Sequence, residues 1–227
     1  MKEGLEAKRK ICQKQQTELR HMLLSDDLYQ DAFHLFFKQH AMLHSASMLQ
    51  AEQFSLEDEV FENLSEPKAR RIPNTSENSI IWNIWHIARI EDVAMNMLVA
   101  GGQQVLTQED WQNRLGIEAR DTGNAMPPDL ILQLSQDINI PALRTYRVTV
   151  GQRTRKIVGQ LQPESLKDKV DPARLAEVQK TGAVIPAANG LIEYWSRRNI
   201  AGLLLMPATR HNLVHLNESL RLKEKRN

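Results

Sequence analysis

Apolar residues are sparse at the start of the chain. Over residues 1–25, Leu5, Ile11, Leu19, Met22 and Leu23 interrupt a polar run. This is the pattern of a helix that buries little surface alone and must dock elsewhere or fray. From 27 to 50, Phe33, Phe36, Phe37, Leu43 and Met48 recur at helical spacing and predict the first firm helix. A helix-breaking proline and a choice of N-caps, Pro73-Asn74-Thr75-Ser76, mark the next boundary. Between Asn78 and Ala100 lie Ile80, Ile81, Trp82, Ile84, Trp85, Ile87, Ile90, Val93, Met95, Met97 and Leu98. They leave almost no polar face, which predicts a central helix, and Gly101-Gly102 supplies its end.

Residues 103–126 read as a long loop with a short helix around Trp111. Pro127-Pro128 opens another helix, with Ile131, Leu134 and Ile138 on its buried side. Pro141 must kink or break that helix, because proline removes a hydrogen bond and clashes with the preceding turn. The pattern resumes through Tyr146, Val150, Ile157 and Leu161, and 163–200 looks irregular, punctuated by Pro172, Gly182, Pro186 and Gly190. Pro207 suits the first turn of a last helix that runs through His211, Leu216 and Leu220 to about Lys223. No alternating strand pattern and no internal repeat interrupts this series. The expected fold is all-α: a four-helix bundle with an extra N-terminal helix and irregular loops. Its parts are an extension over 1–25, a bundle domain over 26–223 and a polar tail over 224–227.

Composition narrows the partners. The 227 residues suffice for one sizeable core. No apolar run approaches the ~18–20 residues that span a bilayer, and the charged N-terminus does not resemble a secretory signal. A lone cysteine, Cys12, excludes an intrachain disulfide and fits a reducing compartment, so a cytoplasmic protein is expected. Twenty-nine basic residues balance 28 acidic ones. A nucleic-acid partner is therefore not expected, since phosphate neutralisation requires a basic excess or stripe. Lys8, Arg9 and Lys10, and the tail cluster Arg221, Lys223, Lys225 and Arg226, read as solvated ends. A small-molecule substrate or a protein partner remains.

The chemistry rests on histidines. His40/His44 and His211/His215 are each four apart, a rotation of about 40° and a rise of roughly 6 Å on a helix. Either pair can reach one ion from one helix face. Glu218, seven residues after His211, shares that face and has three available roles. It can hydrogen-bond a ligand, accept a proton from an activated water, or complete the coordination. The competing reading puts His211 and His215 on a polar outer face with Asn212 and Asn217. His86 lies inside the apolar helix, on a narrow polar stripe with Asn83 and Arg89. A buried imidazole needs a partner, and a third ligand aimed at a neighbouring helix would explain its place. Arg89 either orients an anionic substrate or pairs with Glu91 or Asp92.

Two stretches carry a family resemblance. Asn78 to Asp92, with its apolar-rich segment around His86, resembles the second helix of DinB-like (DinB/YfiT-type) proteins. Pro207 to Glu218 is similar to their final helix, with its His-x3-His. Trp111 to Gly116 followed by Asp121 to Asn124, and Arg153 to Leu161 followed by Pro163 to Leu166, agree in order. The resemblance covers roughly 75–220, and His40/His44 are not part of its pattern; they read as surface or supporting residues. It implies a four-helix bundle with a three-histidine site for a divalent metal ion, and His86, His211 and His215 are the matching ligands; imidazole suits zinc, nickel, copper and iron alike, with zinc or nickel expected foremost.

Three neutral imidazoles leave an ion with open positions, the arrangement of a reactive site. The resemblance allows both a metal-dependent hydrolase and a thiol S-transferase using a low-molecular-weight thiol; by their helical positions Glu218 and Arg89 are the candidate catalytic residues. The alternative is a non-catalytic, stress-associated bundle module with a structural metal or none. Cys12 reads as a bystander, and no nucleophile elbow or phosphate-cradling glycine loop competes. The Trp-rich helix and exposed helical faces lead to an expected homodimer.

Overall fold

The computed structural model describes residues 2–74 and 77–225. Thr75 and Ser76, two of the cap candidates, and Arg226 of the tail lie outside the described residues. α1 (Lys2–Met22) is followed by a 3-10 turn and α2 (Tyr29–Leu43). Short helices α3 (Leu56–Phe61) and α4 (Glu66–Arg70) lead to α5 (Ile80–Asp92). The Ser79 side chain caps α5 by accepting from the Trp82 N–H, and the helix continues as a π-helical segment, Val93–Val99. After α6 (Trp111–Leu115) and α7 (Pro128–Asp137) comes the long α8 (Ile140–Val158). α9 (Pro172–Lys180), α10 (Asn189–Ser196) and α11 (Ile200–Leu205) precede α12 (His211–Glu224). An all-α fold results, with no β-strand among the described residues and one isolated bridge between Lys169 and Asn199.

The bundle consists of α2, α5, α8 and α12, with α5 packed against both α8 and α12. Every residue of α5 is buried, as its lack of a polar face predicts. α1 docks rather than frays: it lies along α2 and contributes Cys12 and Leu19, both fully buried, to the interior. Burial also disarms Cys12, whose thiol is pushed up to about 11 and stays protonated at neutral pH. Trp82, Trp85, Trp111 and Trp195 are all buried, so the tryptophans of α5 stabilise the core and offer no surface to a second copy.

Two segments depart from the sequence-based expectation. The stretch 163–200 is largely helical: Pro172 and Pro186 begin helical turns instead of interrupting order, with Asp171 capping α9 from the Ala173 N–H. Its Val178 and Trp195 are completely buried, which is what fixes the segment. The last helix also starts earlier than Pro207. α11 runs into a π-helical turn, Met206–Arg210, and from there into α12. A wider turn tolerates proline, whose missing N–H would break a regular ladder. At Pro141 the chain breaks as expected: α7 ends at Asp137, and Asn139 caps α8 by accepting from the Ala142 N–H. Among the described residues no helix is long and apolar enough to cross a membrane.

Candidate metal centre

α5 carries His86 to the face of α12 that bears His211 and His215. One donor atom from each lies within 4.8 Å of the other two. Tetrahedral coordination by imidazole needs donors about 3.3 Å apart, a small closure from there. The rings stand edge-on to one another, at 66° for His86 and His211, 81° for His86 and His215, and 68° for His211 and His215. Crossed planes let in-plane lone pairs converge on one point. Behind them the Trp82 indole lies flat on the His86 ring, at 4.6 Å and 14°.

The hydrogen bonds decide which nitrogens are free. His86 Nδ1 lies 2.5 Å from the Thr122 carbonyl, which only accepts, so Nδ1 carries the proton and Nε2 keeps a lone pair. His215 Nδ1 likewise donates to the Glu218 carboxylate at 3.2 Å. His211 Nδ1 is buried with no hydrogen-bond partner among the described residues. Burial, assisted by His215, pushes His86 down to about 3. Burial together with His86 and His215 holds His211 well below its ordinary range. Both are neutral at physiological pH, the form that ligates a metal. His215 and Glu218 keep partly exposed side chains, so the centre is open on the α12 side. The donor set therefore fits a divalent ion with a solvent-accessible edge.

A buried arginine holds the loop that orients His86. Arg89 is fully buried, and Nη1 donates to Asp92 Oδ2 at 3.0 Å and to the Tyr146 hydroxyl at 2.8 Å. Nη2 donates to the Arg120 carbonyl at 2.7 Å and to Gln104, and Nε reaches the Asp121 carbonyl. Of its two sequence readings, the structure has the ion pair with Asp92; no donor faces solvent for a substrate carboxylate. Gly123 closes the same loop with φ +80°, and a Cβ there would sit 2.6 Å from the Trp85 ring. Gly123→Ala combines a disfavoured backbone with a clash against a packed indole and is expected to cost about 1–3 kcal/mol. Because it displaces the Thr122 carbonyl, it should also weaken metal binding; urea unfolding and a competitive zinc titration check both.

His40 and His44 are not surface residues. Both are completely buried, and their Nε2 atoms contact Glu91, His40 at 2.9 Å to Oε1 and His44 at 3.0 Å to Oε2. With Glu91 they form the second group positioned for a metal ion. Its geometry differs from that of the first. The two rings are stacked at 4.2 Å and 29°, so their nitrogens run side by side to separate carboxylate oxygens rather than converging. Asn212 Nδ2 adds a third donor to Glu91 at 2.7 Å, while Arg147 donates to Asn212 Oδ1 and, at 2.6 Å, to Glu57. Burial pushes the Glu91 carboxyl up, but His44 and His40 outweigh it and hold it well below the usual carboxylate range. The group is a hydrogen-bonded clamp around an ionised glutamate. Asn212, next to His211, ties it to α12 and fixes the register that aims His211 and His215 at His86. Neither the Thr122 carbonyl nor this clamp was identified from sequence; the His40/His44 spacing was the one available signal.

An all-α bundle with a three-histidine site positioned to bind a metal ion on two facing helices defines the class. The chain belongs to the DinB superfamily, whose sequence model matches residues 54–217, a span holding His86, His211 and His215 but neither α1 nor α2. No curated protein matches the chain.

Proposed function

We propose that the protein is a metal-dependent enzyme, a hydrolase or a thiol S-transferase acting on a small molecule. The observation that carries this reading is the crossed arrangement of three imidazoles, His86 and His211 held neutral by burial, with a partly open edge. When bound, a divalent ion such as zinc or nickel supplies Lewis acidity that activates a water or a low-molecular-weight thiol. The chain's own residues set up that chemistry. Thr122 and Glu218 hold His86 and His215 in one tautomer, and burial keeps His86 and His211 unprotonated. Glu218, on the exposed side of His215, is the base that receives the nucleophile's proton. A cavity of about 470 Å³ lies beside the Thr122 loop on the α7 side, lined by Ile117, Asp121, Met126 and Leu130 and by none of the three histidines. Cys12 supplies no thiol, being buried in the core, so the thiol reading requires a diffusible one.

Elemental analysis of the purified protein beside His211→Ala tests the reading. About one equivalent of a transition metal in the wild type, lost in a variant that still folds, is the expected result. No metal in either protein after incubation with zinc and nickel would leave a non-catalytic bundle module. Turnover of esters, amides or thiol acceptors that disappears with the metal then separates the enzyme from a structural metal site.

A further inference from the structure

The cavity beside the Thr122 loop differs in its chemistry from the metal centre. Three parts of the chain wall it: the turn after α6, α7 with the two residues before it, and Ile185. Ile117 and Met126 are half-buried against the part of the core that contains Trp82 and Trp85. Ile185 is half-buried against the other part, which contains Trp195. Leu130 of α7 is left 47% exposed. Single apolar side chains at a surface are ordinary, whereas several gathered around a hollow of about 470 Å³ mark a place for an occupant of small-molecule size.

The charged groups in this lining all have one sign. Glu118, Asp121 and Asp137 line the hollow, and no lysine, arginine or histidine does. None of the three carboxylates has an ion pair among the described residues. Arg89 reaches only the backbone carbonyl of Asp121 and forms its ion pair with Asp92. Asp121 is the fixed and half-buried member of the three. Its Oδ1 accepts from the Gly123 N–H at 2.6 Å, which holds the carboxylate in place. Its Oδ2 makes no hydrogen bond among the described residues and is not sealed from solvent, so an occupant can reach it. Apolar walls lower the local dielectric, and this carboxylate therefore attracts a cation more strongly than one on an open surface would.

We infer that this cavity binds a small organic cation with an apolar body, such as a primary ammonium that carries an aromatic ring. The ammonium donates to Asp121 Oδ2, and Glu118 and Asp137 add to the attraction. The ring replaces water against Ile117, Met126, Leu130 and Ile185. A carboxylate or phosphate ligand would meet three negative charges and no cationic donor, which selects against it. A small hydrophilic cation gains the charge but leaves the walls wet.

Calorimetric titration of the full chain at pH 7.5 with 2-phenylethylammonium, 2-phenylethanol, 3-phenylpropionate and ethylammonium tests this. The phenylethylammonium is expected to bind about tenfold or more tightly than the alcohol of the same shape, and about tenfold or more tightly than ethylammonium. Asp121→Asn keeps an acceptor for the Gly123 N–H and should lower the preference for ammonium over alcohol by about fivefold. Adding Glu118→Gln and Asp137→Asn, both at exposed positions, should remove that preference and leave the affinity for the alcohol unchanged. Leu130→Ser should weaken ammonium and alcohol by the same factor, about fivefold. Equal affinity for the ammonium and the alcohol, tighter binding of the carboxylate, or no binding of the phenylethylammonium overturns the inference. So does a preference that survives in the triple variant. Binding that vanishes on chelation would assign the amine to the histidines and overturn it too, whereas binding unchanged after chelation supports the separate site whether or not the metal reading holds.

Discussion

Arg89→Met is expected to cost about 3–5 kcal/mol of folding stability and to lower metal affinity although Arg89 touches no ligand atom. The guanidinium is fully buried, and its removal leaves the buried Asp92 side chain without its cationic partner. Asp92 is not abandoned: it still accepts from Asn96, Tyr146 and the N–H groups of Val105 and Leu106. The loss should therefore fall toward the lower end of that range. The Arg120 and Asp121 carbonyls lose their donor as well, which frees the loop whose Thr122 carbonyl fixes the His86 tautomer. Arg89→Lys keeps the charge but not the fork, and should recover part of the stability while leaving metal affinity reduced. Urea unfolding and a zinc titration against a competing chelator measure the two effects. A Met variant within about 1 kcal/mol of wild type would show that this network is not what orders the loop.

Acid should unfold the metal-free protein well before the carboxylates alone would require it. Burial pushes His44 from an ordinary 6.5 to about 3 and His86 likewise to about 3, and His211 is also held low. An imidazole depressed in the folded state takes up its proton more readily in the unfolded chain. Between roughly pH 6.5 and 3 the unfolded state therefore binds more protons, and stability falls as pH falls. The shift on His44 alone is worth on the order of 5 kcal/mol at full amplitude. Glu91, depressed by its histidine donors, adds a loss of the same sign at the lower end of the window. Glu57 acts oppositely: burial raises it against Arg147, so its contribution is present in acid and fades as pH rises. One opposing group does not offset the three imidazoles. With a total stability of about 5–15 kcal/mol, unfolding is expected above about pH 4. Far-ultraviolet circular dichroism of the chelated protein from pH 7 to 3 measures this. Helix content unchanged at the acid end would mean that these imidazoles are solvated or protonated in the folded chain.

Local signals in the chain specified much of this molecule. The apolar density of Ile80 to Leu98 made α5 central, Pro141 divided α7 from α8, and a helix turns through about 40° over four residues, so His211 and His215 share a face wherever α12 packs. Together with the resemblance of two helices to a known family, these determined the bundle and the three histidines. Burial and long-range packing were not legible there. Arg89 and His40/His44 are as polar in sequence as any surface residue, and only the closure of four helices around Glu91 removed the histidines from water. The length of the last helix was misplaced for a related reason: a proline signals a helix start locally, whereas the packing of Leu203, Leu204 and Ala208 carries the chain through a π-helical turn. The periodicity of a sequence determines which side chains share a face. Which faces meet, and which polar groups are then left to satisfy one another without water, only the tertiary structure decided, because contacts between residues far apart in sequence leave no period to read.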